Sequence, residues 1–298
     1  MQRDKCHVTG DRMKDATCKD YSCHVSRVTC HPSGFTLIEM LVVISILGIM
    51  AALTVPVLKN FAKSDATLGA SRQLLDDVGR ARQLAISQRT TVYMVFVPTN
   101  FWEITPGVFN SAWFTPLTSA QKTAATNLCD KQLTGYTFVS LRSVGDQPGQ
   151  GTPHYLAPWQ TLPDGTFIAA QKFYTTNTIT DPISGASYPI AQFRYTNNFP
   201  FPTETTPVTL NTPYLPYIAF NSLGQLVSEV DVSGNYRDAY IPIAKGSVLY
   251  ARDSITKTFQ FNPPNALENP SGNSTNSYNI VHIDRLTGRA VLEYQKVQ

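Results

Sequence analysis

Apolar side chains follow two regimes along this chain, and the change falls near residue 90. From Phe35 to Leu58 every face is apolar, and Glu39 is the sole ionisable side chain. A helix hydrophobic all round needs lipid or a large core around it. At about 1.5 Å per residue this run makes roughly 36 Å, enough to cross a hydrocarbon layer with some tilt. A secretory signal would stop sooner, at small residues, whereas this run continues into KNFAKSDATLGASRQLLDDVGRARQLAISQR. There Leu68, Leu75, Val78, Ala81 and Ala85 form a helical stripe, with Arg72, Asp76, Asp77, Arg80 and Arg82 mainly on other faces. The pattern predicts one helix from Phe35 to about Gln88, transmembrane over 35–58 and amphipathic over 59–89. Pro56 predicts a kink or a loosened turn. Gly48 weakens mid-span or admits a close neighbour.

After Gln88 the period shortens. TTVYMVFVP is β-branched and aromatic, bounded by Pro98, and reads as a strand. TSAQKTAATNLCDKQL (118–133) predicts a short helix ended by Gly135. YTFVSLRSV, GTFIAAQKFY, AQFRY, YLPYIAF, QLVSEVDV, GSVLYA and NIVHID read as further strands. RAVLEY closes the chain, paired to NIVHID through a turn at Leu286, Thr287 and Gly288. Residues 175–216 combine Thr, Pro and Asn with Tyr and Phe, so an ordered, irregular insertion is expected rather than a disordered linker. The fold class is therefore α+β: a long N-terminal helix whose amphipathic half packs on antiparallel sheet, with 90–298 as a β-rich globular domain.

Composition sharpens this picture. Net charge is +3 over 298 residues, and 15% are charged, so no strong field points to nucleic acid or an acidic substrate. Cys6, Cys18, Cys23 and Cys30 precede the apolar run, and only Cys129 follows it. The part beyond the run can form no internal disulfide and depends on an ordinary core. Positive charges flank the run on both sides (Lys19 and Arg27; Lys59, Lys63 and Arg72), so charge alone leaves its orientation open.

The letters SGFTLIEMLVVISILGIMAALTVPVL resemble the prepilin signal of type IV pilins and type II secretion pseudopilins. Gly34, Phe35, Glu39 and Pro56 each stand at a position of that pattern. The resemblance implies that a prepilin peptidase cuts between Gly34 and Phe35 on the cytoplasmic side, removing residues 1–34 as a leader. It implies N-methylation of the new Phe35 amine, an inner-membrane helix and a periplasmic C-terminal domain. It also implies that Glu39 pairs with the N-terminal amine of an adjacent subunit during assembly, each charge relieving the other's desolvation. The partners so implied are other pilin or pseudopilin subunits, prepilin peptidase, an inner-membrane assembly platform and membrane lipid. Within the superfamily, LLDDVGRARQLAISQRTTVYMVFVP, IAFNSLGQLV and IVHIDRLTGRAV are similar to H-type (GspH/FimT-like) minor pseudopilins. The leader departs from the pattern, with His31, Pro32 and Ser33 before the glycine where lysine or arginine is usual. Met13 is an alternative start.

Other chemistry is weighed and set aside. Cys-His pairs at 6–7, 23–24 and 30–31 match no paired zinc spacing. Cys129 with His154 carries no local signature of a thiol nucleophile, and no hydrolase, metalloprotease or nucleotide motif occurs. Asp231, Ser233, Asn235 and Asp238 hold oxygens suited to calcium but read as a hairpin turn. Arg285, Arg289 and Lys296 could meet DNA phosphates, yet Asp284 and Glu293 dilute that patch, and nucleic acid is disfavoured as a partner. The expectation is a structural subunit of a type II secretion pseudopilus or type IV pilus-like filament, not an enzyme, with no metal or cofactor. A DNA-binding minor pilin for DNA uptake and a membrane-anchored binding protein that never polymerises are the alternatives.

Overall fold

The computed structural model describes residues 36–294, apart from 144, 148, 175–176, 181–184, 186, 230–233 and 277–278. In chain order the elements are α1 (Leu37–Gln88), β1 (Val92–Phe96), β2 (Glu103–Thr105), β3 (Val108–Phe109), α2 (Ser111–Phe114) and α3 (Ser119–Asn127). A single 3-10 turn (Leu128–Lys131) leads to β4 (Gly135–Ser140), β5 (His154–Tyr155), β6 (Gln160–Thr161), β7 (Thr166–Ile168), α4 (Gln171–Tyr174), β8 (Asn177–Thr180) and β9 (Ser187–Ile190). The chain closes with β10 (Tyr217–Phe220), β11 (Ala239–Leu249), β12 (Asn265–Glu268), α5 (Asn273–Asn276), β13 (Asn279–Ile283) and β14 (Ala290–Tyr294). The α+β class with antiparallel sheets agrees with the sequence reading.

Contacts divide the chain into Met1–Leu53 and Thr54–Gln298. In the first, the described part of α1 exposes its apolar side chains, Leu37 at 84% and Ile38 at 71% among them. Among the described residues no helix is long and apolar enough to cross a membrane, and the side chains of 53–65 lie outside the described set. The helix continues through Pro56 without interruption.

In the second unit, α1 presents Ala70, Leu74, Val78, Ala81 and Ala85, each fully buried. At about 100° per residue these five fall within an arc of roughly 80°, a narrow stripe with small residues at three positions. This corrects the expected stripe at its start: Leu68 is 36% exposed and Leu75 only borders the core, because both lie off that arc. The helix ends on Arg89 with φ 51°, and the Thr90 amide reaches back to the Ala85 carbonyl at 3.3 Å. A left-handed residue with this six-to-one bond closes a helix C-terminus.

One sheet runs β10-β1-β4-β5, with β6 also on β4; the other runs β12-β11-β13-β14, with β7 also on β11. Along β1, Val92, Met94 and Phe96 face the core containing the α1 stripe, while Val95 and Val97 enter a second cluster with Phe101, Trp102, Trp113, Phe199 and Phe201. An unbroken apolar run such as VYMVFVP is what a strand covered on both faces needs. The predicted NIVHID–RAVLEY hairpin forms, with His282 opposite Val291.

Three strand expectations fail. GTFIAAQKFY gives only three strand residues before turning into α4. AQFRY keeps a single bridge, Arg194 to Tyr217, because the Phe193 amide is given to the Lys172 carbonyl at 3.1 Å rather than to a neighbouring strand. The described part of QLVSEVDV keeps one bridge, Phe220 to Leu226, as Glu229 turns inward. The insertion at 175–216 is ordered where described: Ile190, Phe193, Phe199, Phe201 and Leu215 are buried.

Candidate functional site

The motif-bearing end of α1 is built from its own first turn. Thr36 is the residue preceding the helix, and its hydroxyl accepts the Glu39 amide at 3.3 Å. Glu39 Oε2 in return accepts from the Thr36 amide and hydroxyl, both at 3.4 Å. This is a reciprocal capping box, in which a carboxylate also meets the positive end of the helix dipole. Both bonds fall on Oε2, so Oε1 of the exposed Glu39 takes part in neither. An added Cβ at Gly48 would meet nothing within 4 Å among the described residues. Ser45 returns its hydroxyl to the Leu41 carbonyl at 2.7 Å, so this polar group on the apolar surface has its donor satisfied. Residues 1–35, which include Gly34, Phe35 and the cysteines and histidines of the expected leader, lie outside the described residues.

Elsewhere three charged constellations emerge that sequence reasoning missed. Lys172 on α4 is fully buried and donates to the Ala191 carbonyl at 2.6 Å and Glu229 Oε1 at 3.3 Å. Its ammonium lies 4.7 Å from the centre of the Phe193 ring. Burial holds this lysine below its ordinary range, and Glu229 opposes that shift.

His282 on β13 is held from both sides, by Glu293 at Nδ1 (2.6 Å) and Asp238 at Nε2 (3.0 Å). Asp238 also accepts the Arg285 amide at 2.9 Å, so this clamp fixes the β13–β14 turn. Once the hairpin register is known, Glu293 stands two residues from the partner of His282 on the same face, so half of the clamp was within reach of the sequence.

His154 Nδ1 lies 2.7 Å from Glu204, which also accepts the Tyr155 amide at 3.0 Å. That amide bond, with help from His154, holds the Glu204 carboxyl below its usual range.

The remaining sequence candidates do not assemble. Cys129 is buried with its thiol 3.8 Å from the Ala125 carbonyl, and burial pushes it up to about 12, while His154 is committed to Glu204. Asp231 and Ser233 of the calcium candidate lie outside the described residues, and Asp238 is engaged by His282 and Arg285. Arg285 Nη1 donates to the Tyr236 carbonyl at 2.8 Å and so braces that loop. Lys296 lies outside the described residues.

Comparison with known families matches residues 31–55 to the prokaryotic N-terminal methylation motif. Comparisons with curated proteins and with solved structures return no significant match. The chain thus carries a prepilin-type N-terminal motif, and Gly34, Phe35 and Glu39 all fall inside the matched stretch.

Proposed function

We propose that this chain is a structural, non-enzymatic subunit of a type IV pilus-like filament or type II secretion pseudopilus, most similar to the H-type minor pseudopilins. The observation that carries the reading is the methylation motif at 31–55 in register with Glu39 in the first turn of an uninterrupted helix. In this reading prepilin peptidase cuts after Gly34 and Phe35 becomes a methylated, still cationic N-terminus. Residues 35–58 then cross the inner membrane, and the β-rich domain stands in the periplasm. An assembly platform in that membrane receives the processed subunit.

Glu39 has a physical part in this. A carboxylate within hydrocarbon costs on the order of 3 kcal/mol at the bilayer centre and less near its edge. In a lone chain the capping box offsets part of that cost. The ammonium of an adjacent subunit's Phe35 would supply the missing counter-charge, and axial register between helices would follow from where the two meet.

The direct test is the intact mass and N-terminal residue of membrane-extracted protein. The expected product begins at methylated Phe35, and protein beginning upstream of residue 35 overturns the reading. Glu39→Ala should insert normally and fail to enter filaments; normal incorporation would remove Glu39 from its proposed role.

A further inference from the structure

A shallow groove of about 560 Å³ lies on the folded β domain, and no function above uses it. Its apolar lining comes from Leu128, Tyr155, Leu156, Pro158, Trp159 and Pro202. The walls are fixed before anything binds. Tyr155 donates its hydroxyl to the Pro200 carbonyl, and Glu204 grips both His154 and the Tyr155 amide. A full capping box at Thr118 and Gln121 anchors α3, which forms the opposite side. The charges at the rim have partners of their own: Glu204 faces His154, and Lys131 lies 3.9 Å from Asp130. What the groove offers is mainly apolar, with the Trp159 indole N–H unpartnered among the described residues.

The same domain carries a projection of matching chemistry. Residues 207–213, PVTLNTP, contain no charge and are bounded by prolines. Leu210 is 99% exposed at the tip, and Val208 is 46% exposed beside it. This leucine is not a loose side chain awaiting collapse onto its own core. The Thr209 amide donates to the buried Thr212 hydroxyl at 2.8 Å, the Thr212 amide returns to the Thr209 carbonyl at 3.1 Å, and Asn110 holds the Asn211 carbonyl at 2.8 Å. A pre-ordered tip loses little entropy on docking.

We propose that the 207–213 loop of one copy of this chain seats Leu210 in the 128/155–159/202 groove of a second copy. A projection and a socket on the same molecule make a contact that either closes a pair or repeats from copy to copy. The inference goes beyond the filament reading and does not depend on it, because it needs neither leader removal nor a filament.

The test places a photo-crosslinking benzoylphenylalanine at position 210 of the full chain, purified in detergent as a mixture of isotopically heavy and light copies. The expected products are heavy–light crosslinks on residues 155–159 and 202–204. Asn127→Trp, at an exposed groove position, should lower their yield at least fivefold. An excess of unmodified protein should compete, and protein carrying both Leu210→Asp and Asn127→Trp, which lacks the apolar tip and the open groove alike, should not. Far-ultraviolet circular dichroism and urea midpoints check that both variants are folded. Crosslinks confined to one chain, to detergent or to another surface, or a yield indifferent to Asn127→Trp, overturn the proposal.

Discussion

Lys172→Met removes one member of an ion pair whose side chains are 0% and 2% exposed. Methionine retains most of the lysine stem, so packing near the Phe193 ring is largely kept and charge is the main loss. Removing one partner of a buried pair costs about 3–5 kcal/mol, because the other charge is left uncompensated. Arg237 lies near enough to oppose the lysine's charge, so it would partly offset the stranded Glu229 and place the cost near 3 kcal/mol. The double variant Lys172→Met/Glu229→Leu should recover most of this. It retains roughly 1 kcal/mol of loss from the Ala191 carbonyl, which no longer has its donor. At about 2–4 °C per kcal/mol for a domain of this size, the single variant should melt roughly 6–12 °C early. Thermal and urea unfolding of the full chain in detergent, followed by fluorescence of Trp102, Trp113 and Trp159, reads both numbers.

The pH dependence has a definite sign. Lys172 is depressed from an ordinary value of 10.5, so its linked contribution to stability is complete above that value. It is lost as pH falls through the folded-state pKa. Lys172→Met should abolish this alkaline rise. A single variant within about 0.5 kcal/mol of the parent would refute the buried pair. A double variant as unstable as the single one would show that shape, not charge, sets the cost.

Leu74→Ala should destabilise the fold by about 2–5 kcal/mol, whereas Leu68→Ala should stay within about 0.5 kcal/mol, and urea midpoints for the two separate the observed stripe from the expected one. Glu204 is depressed below 4.5 by the Tyr155 amide, so the stability it contributes is present above that value and fades as pH falls through its folded pKa; Glu204→Gln should flatten that part of an acid titration of protease resistance around Tyr155. Gly288→Ala meets a φ of +62° and puts a Cβ 2.0 Å from the Gly224 carbonyl oxygen, and a loss of at least about 1–3 kcal/mol should appear in thermal melts.

Much of this architecture was legible in the letters because it is local. The long helix, the capped Ser119–Asn127 helix and the final hairpin each follow from spacing and turn residues within one segment. The first half of β11 was missed because Pro242 lies inside AYIPIA, and a proline argues against a central strand. Pro242 gives its carbonyl to the Ala169 amide, just past the Ile243–Ile168 pairing with β7, and the Ala169 carbonyl takes the Lys172 amide at 3.0 Å in place of the N–H that proline lacks. Lys172 was read as part of a strand, since its partner lies 57 residues away and no local pattern announces it. At the motif end the opposite holds. Glu39 stands out in sequence because its chemistry conflicts with its surroundings, and the reciprocal Thr36 bonds are what a three-residue spacing allows.

The alternation along β1 has a consequence for how this domain tolerates change. Val95, Val97, Val139 and Ala219 form a floor that the segments carrying Phe101, Trp113, Phe199 and Phe201 roof over. Trimming the chain to helix and sheet alone would strip that roof and leave a greasy plateau open to water. Anyone seeking a minimal version must therefore recolour the floor with polar residues at the same stroke, or the shortened protein will clump before its assembly can be judged.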